Sequence, residues 1–395
     1  MKDFTFHTPT EVLFGRRSEE RIASLVRKYG GTKVLLHYGG SSAERSGLLP
    51  LIRTALAEAG IGCVELGGVV PNPRLTKVRE GIDRCRAEKV DFLLAVGGGS
   101  VIDSAKAIAY GVPYAGDVWD FFDGKAKATA ALPIGAVVTI PAAGSEMSNG
   151  CVITNEQGWQ KRGYSSGLSR CRFAVMNPER TYTLPPYQTA CGAVDILMHT
   201  MERYFSPETD MTLTDALAEA LMRTVLDATP VVLAEPTDYR HRAQIMWAGS
   251  LAHNDLTGCG NVGDWATHHL EHELSALFDV AHGAGLAAVW GSWARYVRTS
   301  NPQRFVRFAV NVMGVTNDFA DADRTALAGI EAMERFYRSI GMPVSIPELI
   351  GRPATAEEID EMACKCSRGG TSTEGSFRVL AADDLRAIYR AANGE

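Results

Sequence analysis

Hydrophobic positions in the first half of the chain come in short runs, as in TKVLLHYGG, IGCVELGG, VDFLLAVGGG and IGAVVTIPAAG. Between them, AERSGLLPLIRTALAEAG, LTKVREGIDRCRAEK and SVIDSAKAIAY repeat their apolar positions every three or four residues. Short apolar runs alternating with helical periods predict βαβ units and a mostly parallel sheet. Two further runs, CVITN and CRFAVMN, flank a polar stretch and read as an antiparallel addition. After Pro185 and Pro186 the period is helical almost throughout, in MTLTDALAEALMRTVLDATPVVL, RHRAQIMWAGSLAHNDL, RTALAGIEAMERFYRSIG and AADDLRAIYRAA. The pattern predicts an α/β domain over residues 1–184 and an all-helical domain over 185–395, without a long linker, internal repeat or low-complexity tract.

Composition narrows the function classes. A chain of 395 residues can bury two full cores, and 46% hydrophobic with 22% charged residues is ordinary for a soluble globular protein. A net charge of -6 argues against a nucleic-acid partner, which needs a basic field to neutralise phosphates. No membrane partner is expected: the most apolar stretch, LLAVGGGSVIDSAKAIAYGV, carries Asp103 and Lys106 and is broken by glycines. MKDFTFHTPTEVLFG lacks the apolar core and cleavage site of a signal peptide. The eight cysteines form no framework, so they are expected as thiols in the cytoplasm.

Candidate chemistry lies in the helical half. Asp195 and His199 are four apart in TACGAVDILMHTMERYF, on one face of a helix, and His268 and His272 repeat that spacing in DWATHHLEHELSALF. His282 lies fourteen residues past His268, roughly 21 Å along one unbroken helix. Shared ligation at about 2 Å from a metal therefore requires a break, which FDVAHGAG supplies. There Asp279 can serve as a turn or cap residue, and Gly283 and Gly285 relax the backbone. Spacing alone leaves open whether a metal here is structural or catalytic, and whether His272 is a ligand. A zincin site is excluded, because no H-E-x-x-H occurs.

The α/β half carries a second signal. Gly97, Gly98, Gly99 and Ser100 follow the strand DFLLAV and open a helix, where backbone N–H groups and the positive helix end face an anion. Gly39, Gly40, Ser41 and Ser42 end another strand in the same way. Two such turns at carboxyl ends of parallel strands suit the phosphates and ribose of a dinucleotide. Neither is a Rossmann G-x-G-x-x-G or a Walker loop. At Gly39–Ser42 no acid stands at the strand tip to repel a 2′-phosphate, and Arg45 lies one turn on, so NADP(H) is expected over NAD(H), with Glu44 as the opposing charge.

GGGSVIDSAKAIA, the Pro71-Asn72-Pro73 triplet, PAAGSE, AVDILMHTMERYF, GDWATHHLEHEL and VAHGAG, in order along essentially the whole chain, resemble the iron-containing alcohol dehydrogenases. The resemblance is nearest to their butanol dehydrogenase and broad-range aldehyde reductase branch. It implies a dehydroquinate synthase-like dinucleotide fold, a helical metal domain, a cofactor cleft between them and a homodimer. It also implies Asp195, His199, His268 and His282 as ligands of Fe²⁺ or Zn²⁺, with His272 beside the nicotinamide as a proton carrier. Gly97–Ser100 match the pyrophosphate loop, Asn72 an adenosine-side contact, Thr139 and Ser148 the cofactor rim, and Lys161 a basic residue over the cofactor. The chain departs from the pattern at Ala143, where the family has threonine, and the lost hydroxyl implies slightly weaker cofactor binding.

The expected reaction is hydride transfer between NADP(H) and a short- to medium-chain primary alcohol or aldehyde. Three imidazoles and one carboxylate around a divalent ion leave one net positive charge to favour an oxyanion. The alternatives are a polyol dehydrogenase or metal-dependent cyclase on the same scaffold, a metal- or nucleotide-binding protein without catalysis, and a helical domain whose histidines are core residues. A cyclase acting on a phosphorylated hydroxy acid needs lysine and arginine beside the metal, whereas the flanking segments are apolar or acidic.

Overall fold

The computed structural model describes residues 1–395. The chain folds as two compact units, one of His7–Leu184 with Pro236–Ser250, the other of Met1–Phe6, Pro185–Glu235 and Leu251–Glu395.

The first unit is built on strands β1 (Glu11–Phe14), β2 (Lys33–Tyr38), β3 (Gly62–Leu66), β4 (Phe92–Gly97), β5 (Ile134–Val138), β6 (Gly150–Asn155), β7 (Gln160–Ser165) and β8 (Phe173–Met176). Six of them form a parallel sheet in the order β1-β8-β5-β4-β2-β3. Successive residues of β4 serve opposite cores, Phe92, Leu94 and Val96 one face and Leu93 and Ala95 the other. Both faces are buried at the inner strands β2, β4, β5 and β8, which therefore read as continuous apolar runs rather than alternating ones. Helices Ile22–Lys28 and Leu48–Glu58 close one face; Leu75–Glu88 and Gly99–Gly111 close the other.

The sheet order positions the glycine turns. From β2 the chain steps outward to β3 and then returns to β4 on the other side of β2, which makes β2 and β4 neighbours across the point where the winding reverses. In an open parallel sheet the carboxyl ends of such strands border the ligand crevice. Tyr38 pairs with Val96, so Gly39–Ser42 and Gly97–Ser100 emerge side by side.

Three expectations need correction. CRFAVMN is not an antiparallel addition: β8 lies inside the parallel sheet between β1 and β5, and all four of its residues are buried. The antiparallel partner of CVITN is Gln160–Ser165, a mostly polar strand of which only Lys161 is buried. EVLF, unassigned from its pattern, is the edge strand β1. Residues 236–250 group with the α/β unit rather than with the helical half, for packing reasons within that unit. Trp247 meets Phe14 edge-on at 6.2 Å, Arg16 lies over Tyr239 at 4.2 Å, Met246 packs with Val138 and Met176, and Ser250 donates to Glu146.

The second unit is helical, with Pro186–Tyr204, Thr212–Ala234, Ala266–Phe278, His282–Val297, Ala322–Ser339 and Ala382–Ala392 among its longer elements. The expected break falls where the spacing required it. Asp279, in the left-handed region at φ 51°, ends Ala266–Phe278, and a new helix starts at His282. No helix is long and apolar enough to cross a membrane.

One buried histidine couples the sheet to the helix behind the glycine turn. His37 Nδ1 donates to the Leu66 carbonyl at 2.8 Å, and Nε2 accepts from the Ser104 hydroxyl at 2.9 Å, which fixes a neutral tautomer. Burial lowers its pKa to about 4, so the folded protein resists a proton that the unfolded chain takes up near pH 6.5. Its contribution is complete above that value and is lost as pH falls toward 4, on the order of 3 kcal/mol in all. Thermal melts between pH 7 and 4 should therefore fall less steeply for His37→Gln than for the parent; parallel slopes would remove His37 as the cause.

Candidate metal and cofactor site

Helix Pro186–Tyr204 carries Asp195 and His199, helix Ala266–Phe278 carries His268 and His272, and His282 opens the next helix. The donor atoms of Asp195, His268 and His282 lie within 4.8 Å of one another. Asp195 Oδ1 is 3.8 Å from His268 Nε2 and 3.8 Å from His282 Nε2. Ligand atoms around a tetrahedral ion with bonds of about 2.1 Å sit roughly 3.4 Å apart, so a small inward shift closes this set on a metal. His199 borders the three rather than completing them. Its Nδ1 is 3.0 Å from the Asp195 carbonyl oxygen and from Oδ1, and its ring centre is 4.5 Å from that of His268.

Two observations show that the residues fit a cation. Asp195 Oδ1 and His268 Nε2 are both buried without a hydrogen-bond partner, an arrangement that costs stability unless something else satisfies it. The charges agree. Burial opposes ionisation of Asp195, but the imidazoles of His199, His268 and His282 outweigh it and hold the carboxyl well below its ordinary value. Burial likewise opposes a charged His268, yet Asp195 and Glu202 raise it to about 9, while burial keeps His199 down at about 4. Without a metal, a proton on His268 supplies the positive charge.

Spacing missed two carboxylates. Glu202 accepts from His268 Nδ1 at 2.8 Å, from the His268 backbone N–H at 2.9 Å and from the Trp265 N–H at 2.7 Å. Glu271, fully buried, takes His282 Nδ1 and the Ser275 hydroxyl. Each stands three residues after a helical histidine, Glu202 after His199 and Glu271 after His268. That spacing shares a helix face and was a usable signal. Each instead serves a histidine of a different helix, which spacing cannot reveal. His272, nearly buried, has its ring centre 5.9 Å from that of His282, and its donor atom also groups with those of Glu271 and His282.

Gly283 has a packing role and not the expected relaxing one. A Cβ there would lie 2.1 Å from the Cys191 carbonyl oxygen, so the helices bearing Asp195 and His282 meet backbone to backbone. Gly285 similarly leaves room for Glu271, whose Oε1 would be 2.8 Å from a Cβ.

In the α/β unit, Gly98 caps the helix Gly99–Gly111 and none of the three glycines has positive φ. Close packing requires them instead: a Cβ at Gly98 would lie 2.1 Å from Ile140 Cγ2, and one at Gly99 would lie 2.9 Å from Ala143 Cβ. Thr139 donates its N–H to Gly97 at 3.1 Å and so stands beside the loop. Ser148 is buried, and both its hydroxyl and its carbonyl accept from the buried Lys106 ammonium, at 3.1 and 2.9 Å. Asn72 is buried at φ 53°; after it, Pro73 accepts from the Thr154 N–H of β6, at 2.8 Å. Lys161 pairs with Thr154 from β7 and is only 4% exposed, so it is no solvated surface charge. Gly40, Ser41 and Ser42 are exposed, the Ser41 hydroxyl accepts from Arg45, and Glu44 is held by Arg53 at 2.8 Å.

A helical unit that gathers a buried carboxylate and three imidazoles, and a parallel-sheet unit with two glycine turns at its switch point, are the parts found in the metal- and nicotinamide-dependent oxidoreductases to which similarity to known proteins assigns this chain. Residues 9–178 match the iron-containing alcohol dehydrogenase family, and residues 189–393 match the family's C-terminal region. The chain is 39% identical over 391 residues to a probable NADH-dependent butanol dehydrogenase of Bacillus subtilis, covering 99% of this chain and 100% of that one. It is 35% identical over 396 residues to an NADPH-dependent aldehyde reductase of Escherichia coli, with coverage of 99% and 100%. The crystal structure of an NADH-dependent butanol dehydrogenase of Thermotoga maritima superposes with a TM-score of 0.95 at 39% identity, over 99% of each chain. The protein belongs to the iron-containing alcohol dehydrogenase family, in the branch of butanol dehydrogenases and aldehyde reductases.

Gly283→Ala should lower the melting temperature of the metal-free protein by the equivalent of about 1–3 kcal/mol, because the Cys191 carbonyl cannot yield without moving its helix. An unchanged melting temperature would show that the two helices are not in register through this contact.

Proposed function

We propose that this enzyme transfers hydride between NADP(H) and a short- to medium-chain primary alcohol or aldehyde, with Fe²⁺ or Zn²⁺ held by Asp195, His199, His268 and His282. The observation that carries the metal assignment is the pair of buried, unsatisfied donors, Asp195 Oδ1 and His268 Nε2. When bound, the metal supplies Lewis acidity toward the substrate oxygen. The residues of the chain do the rest. Asp195 and the imidazoles would hold the metal, and the burial of all of them but His282 would keep bulk water from competing at the site. His282, with its side chain 26% exposed, marks the open side. His272 carries the proton that the alcohol loses or the aldehyde gains.

On the cofactor side, the backbone N–H groups at the start of Gly99–Gly111 lack a carbonyl one turn behind them and take the pyrophosphate. Gly39–Ser42 take the adenosine ribose end, Asn72 contacts the adenosine side, Thr139 and Ser148 shape the rim, and Lys161 supplies a positive charge over the cofactor. The choice of NADP(H) rests on charge at the first turn. Arg45 is tethered at its tip by Ser41, and Glu44, the one opposing carboxylate, is neutralised by Arg53. Assembly as a homodimer and a place in the cytoplasm complete the proposal.

His268→Ala, assayed with an aldehyde panel after loading with Fe²⁺ or Zn²⁺, should lose bound metal and turnover together; retention of both would overturn the ligand assignment. With the parent enzyme, kcat/KM should favour NADPH over NADH by about tenfold, a difference of roughly 1.4 kcal/mol. A preference for NADH would reject the cofactor choice and leave the metal assignment standing.

A further inference from the structure

Glu271 makes no contact that the proposed reaction requires, yet it is among the most buried charged groups of the protein. Its carboxylate is fully enclosed, with Oε1 taking the Ser275 hydroxyl and Oε2 taking His282 Nδ1. Gly285 is the neighbour that leaves space for it. A buried carboxylate is costly to desolvate, and such a group is retained where its contact with a partner, here His282 Nδ1, is needed.

The arrangement is repeated on His268. There Nδ1 is held by Glu202 and Nε2 points to Asp195 Oδ1; on His282, Nδ1 is held by Glu271 and Nε2 lies at the same distance from the same Asp195 oxygen. A carboxylate on the far nitrogen does two things to a ligating imidazole. It holds the ring at one tautomer and orientation, and it increases electron density on the nitrogen that faces the cation. His282 needs this more than His268 does, being at a helix start and partly exposed.

We propose that Glu271 is a positioning residue for the metal, acting through His282 Nδ1 to aim Nε2 at the site and to strengthen it as a donor. This rests on the metal assignment made above. It also gives the butanol dehydrogenase-like site a second buried carboxylate outside the ligand set, so that cation retention depends on Glu271 as well as on the ligands.

The test uses the full-length protein and Co²⁺ alone, with affinity measured by chelator competition and coordination by the visible absorption of the bound ion. The parent should bind one Co²⁺ per chain; failure to do so overturns the metal assignment itself. Glu271→Gln, which keeps the shape and removes the charge, should weaken Co²⁺ binding by about tenfold and shift the absorption bands, the range seen for such outer partners. Glu271→Asp should recover part of the loss. If Glu271→Gln does not fold, Ser275→Ala serves in its place, removing the hydroxyl that fixes the carboxylate and weakening Co²⁺ binding about threefold, a part of what one hydrogen bond to a charged group contributes. Parent-like affinity and spectrum in Glu271→Gln, or in Ser275→Ala where that substitute is used, would overturn the proposal. So would loss of Co²⁺ in both Glu271→Gln and His272→Gln with Asp195→Asn unaffected, because the ion would then sit on Glu271, His272 and His282 directly.

Discussion

The organising constraint is a buried carboxylate oxygen facing two imidazole nitrogens across equal gaps of 3.8 Å, with a third imidazole nitrogen, His199 Nδ1, 3.0 Å away. Three helices converge on that point, and the sequence is unusual wherever they do so. Glycine stands where backbones touch, at Gly283, and where Glu271 must fit, at Gly285. A left-handed aspartate turns the chain between His268 and His282. Outside the ligand set, Glu202 and Glu271 add two negative charges, so the environment is more anionic than the four ligands alone indicate. Such a cluster favours a positive charge inside it, which is why Asp195 and Glu202 push His268 toward its protonated form.

Much of this was legible in the residues, for reasons that can be traced. The strands β2, β4 and β5 were visible because a strand buried on both faces is a continuous apolar run closed by glycine or proline, while the half-exposed edge strand β3 was visible from its short apolar run and the glycines that follow it. The helix break at Asp279 followed from distance alone, since two ligands fourteen residues apart on one helix cannot share an ion. What was not legible is long-range. FAVM reads as a strand in any position, and nothing local places it between β1 and β5; EVLF is too short and too near a polar start to stand out. The segment 236–250 has an ordinary helical pattern, and its placement depends on meeting Phe14, Arg16 and Glu146, all far away in sequence.

The glycine turns combine both kinds of information. Their number pointed to an anion, but the geometry gives the second turn a steric reason as well, because Val101, Ile140 and Ala143 occupy the places of the missing side chains of Gly97, Gly98 and Gly99, whereas Gly40 of the first turn has open space around it. The two demands are compatible: a loop packed this closely cannot move away from a phosphate, and its N–H groups are held in fixed directions. The same holds for His37, which ties the strand before one turn to the helix after the other through Ser104.

The contact between Gly283 and Cys191 has a kinetic meaning. Because the helices bearing Asp195 and His282 are spaced by their own backbones, the separation of these two side chains is set by helix packing, and a cation held there as proposed would find them already within a small shift of each other. Little ordering entropy would then oppose capture, and the partly exposed His282 would give the ion a way in and out without the helices coming apart.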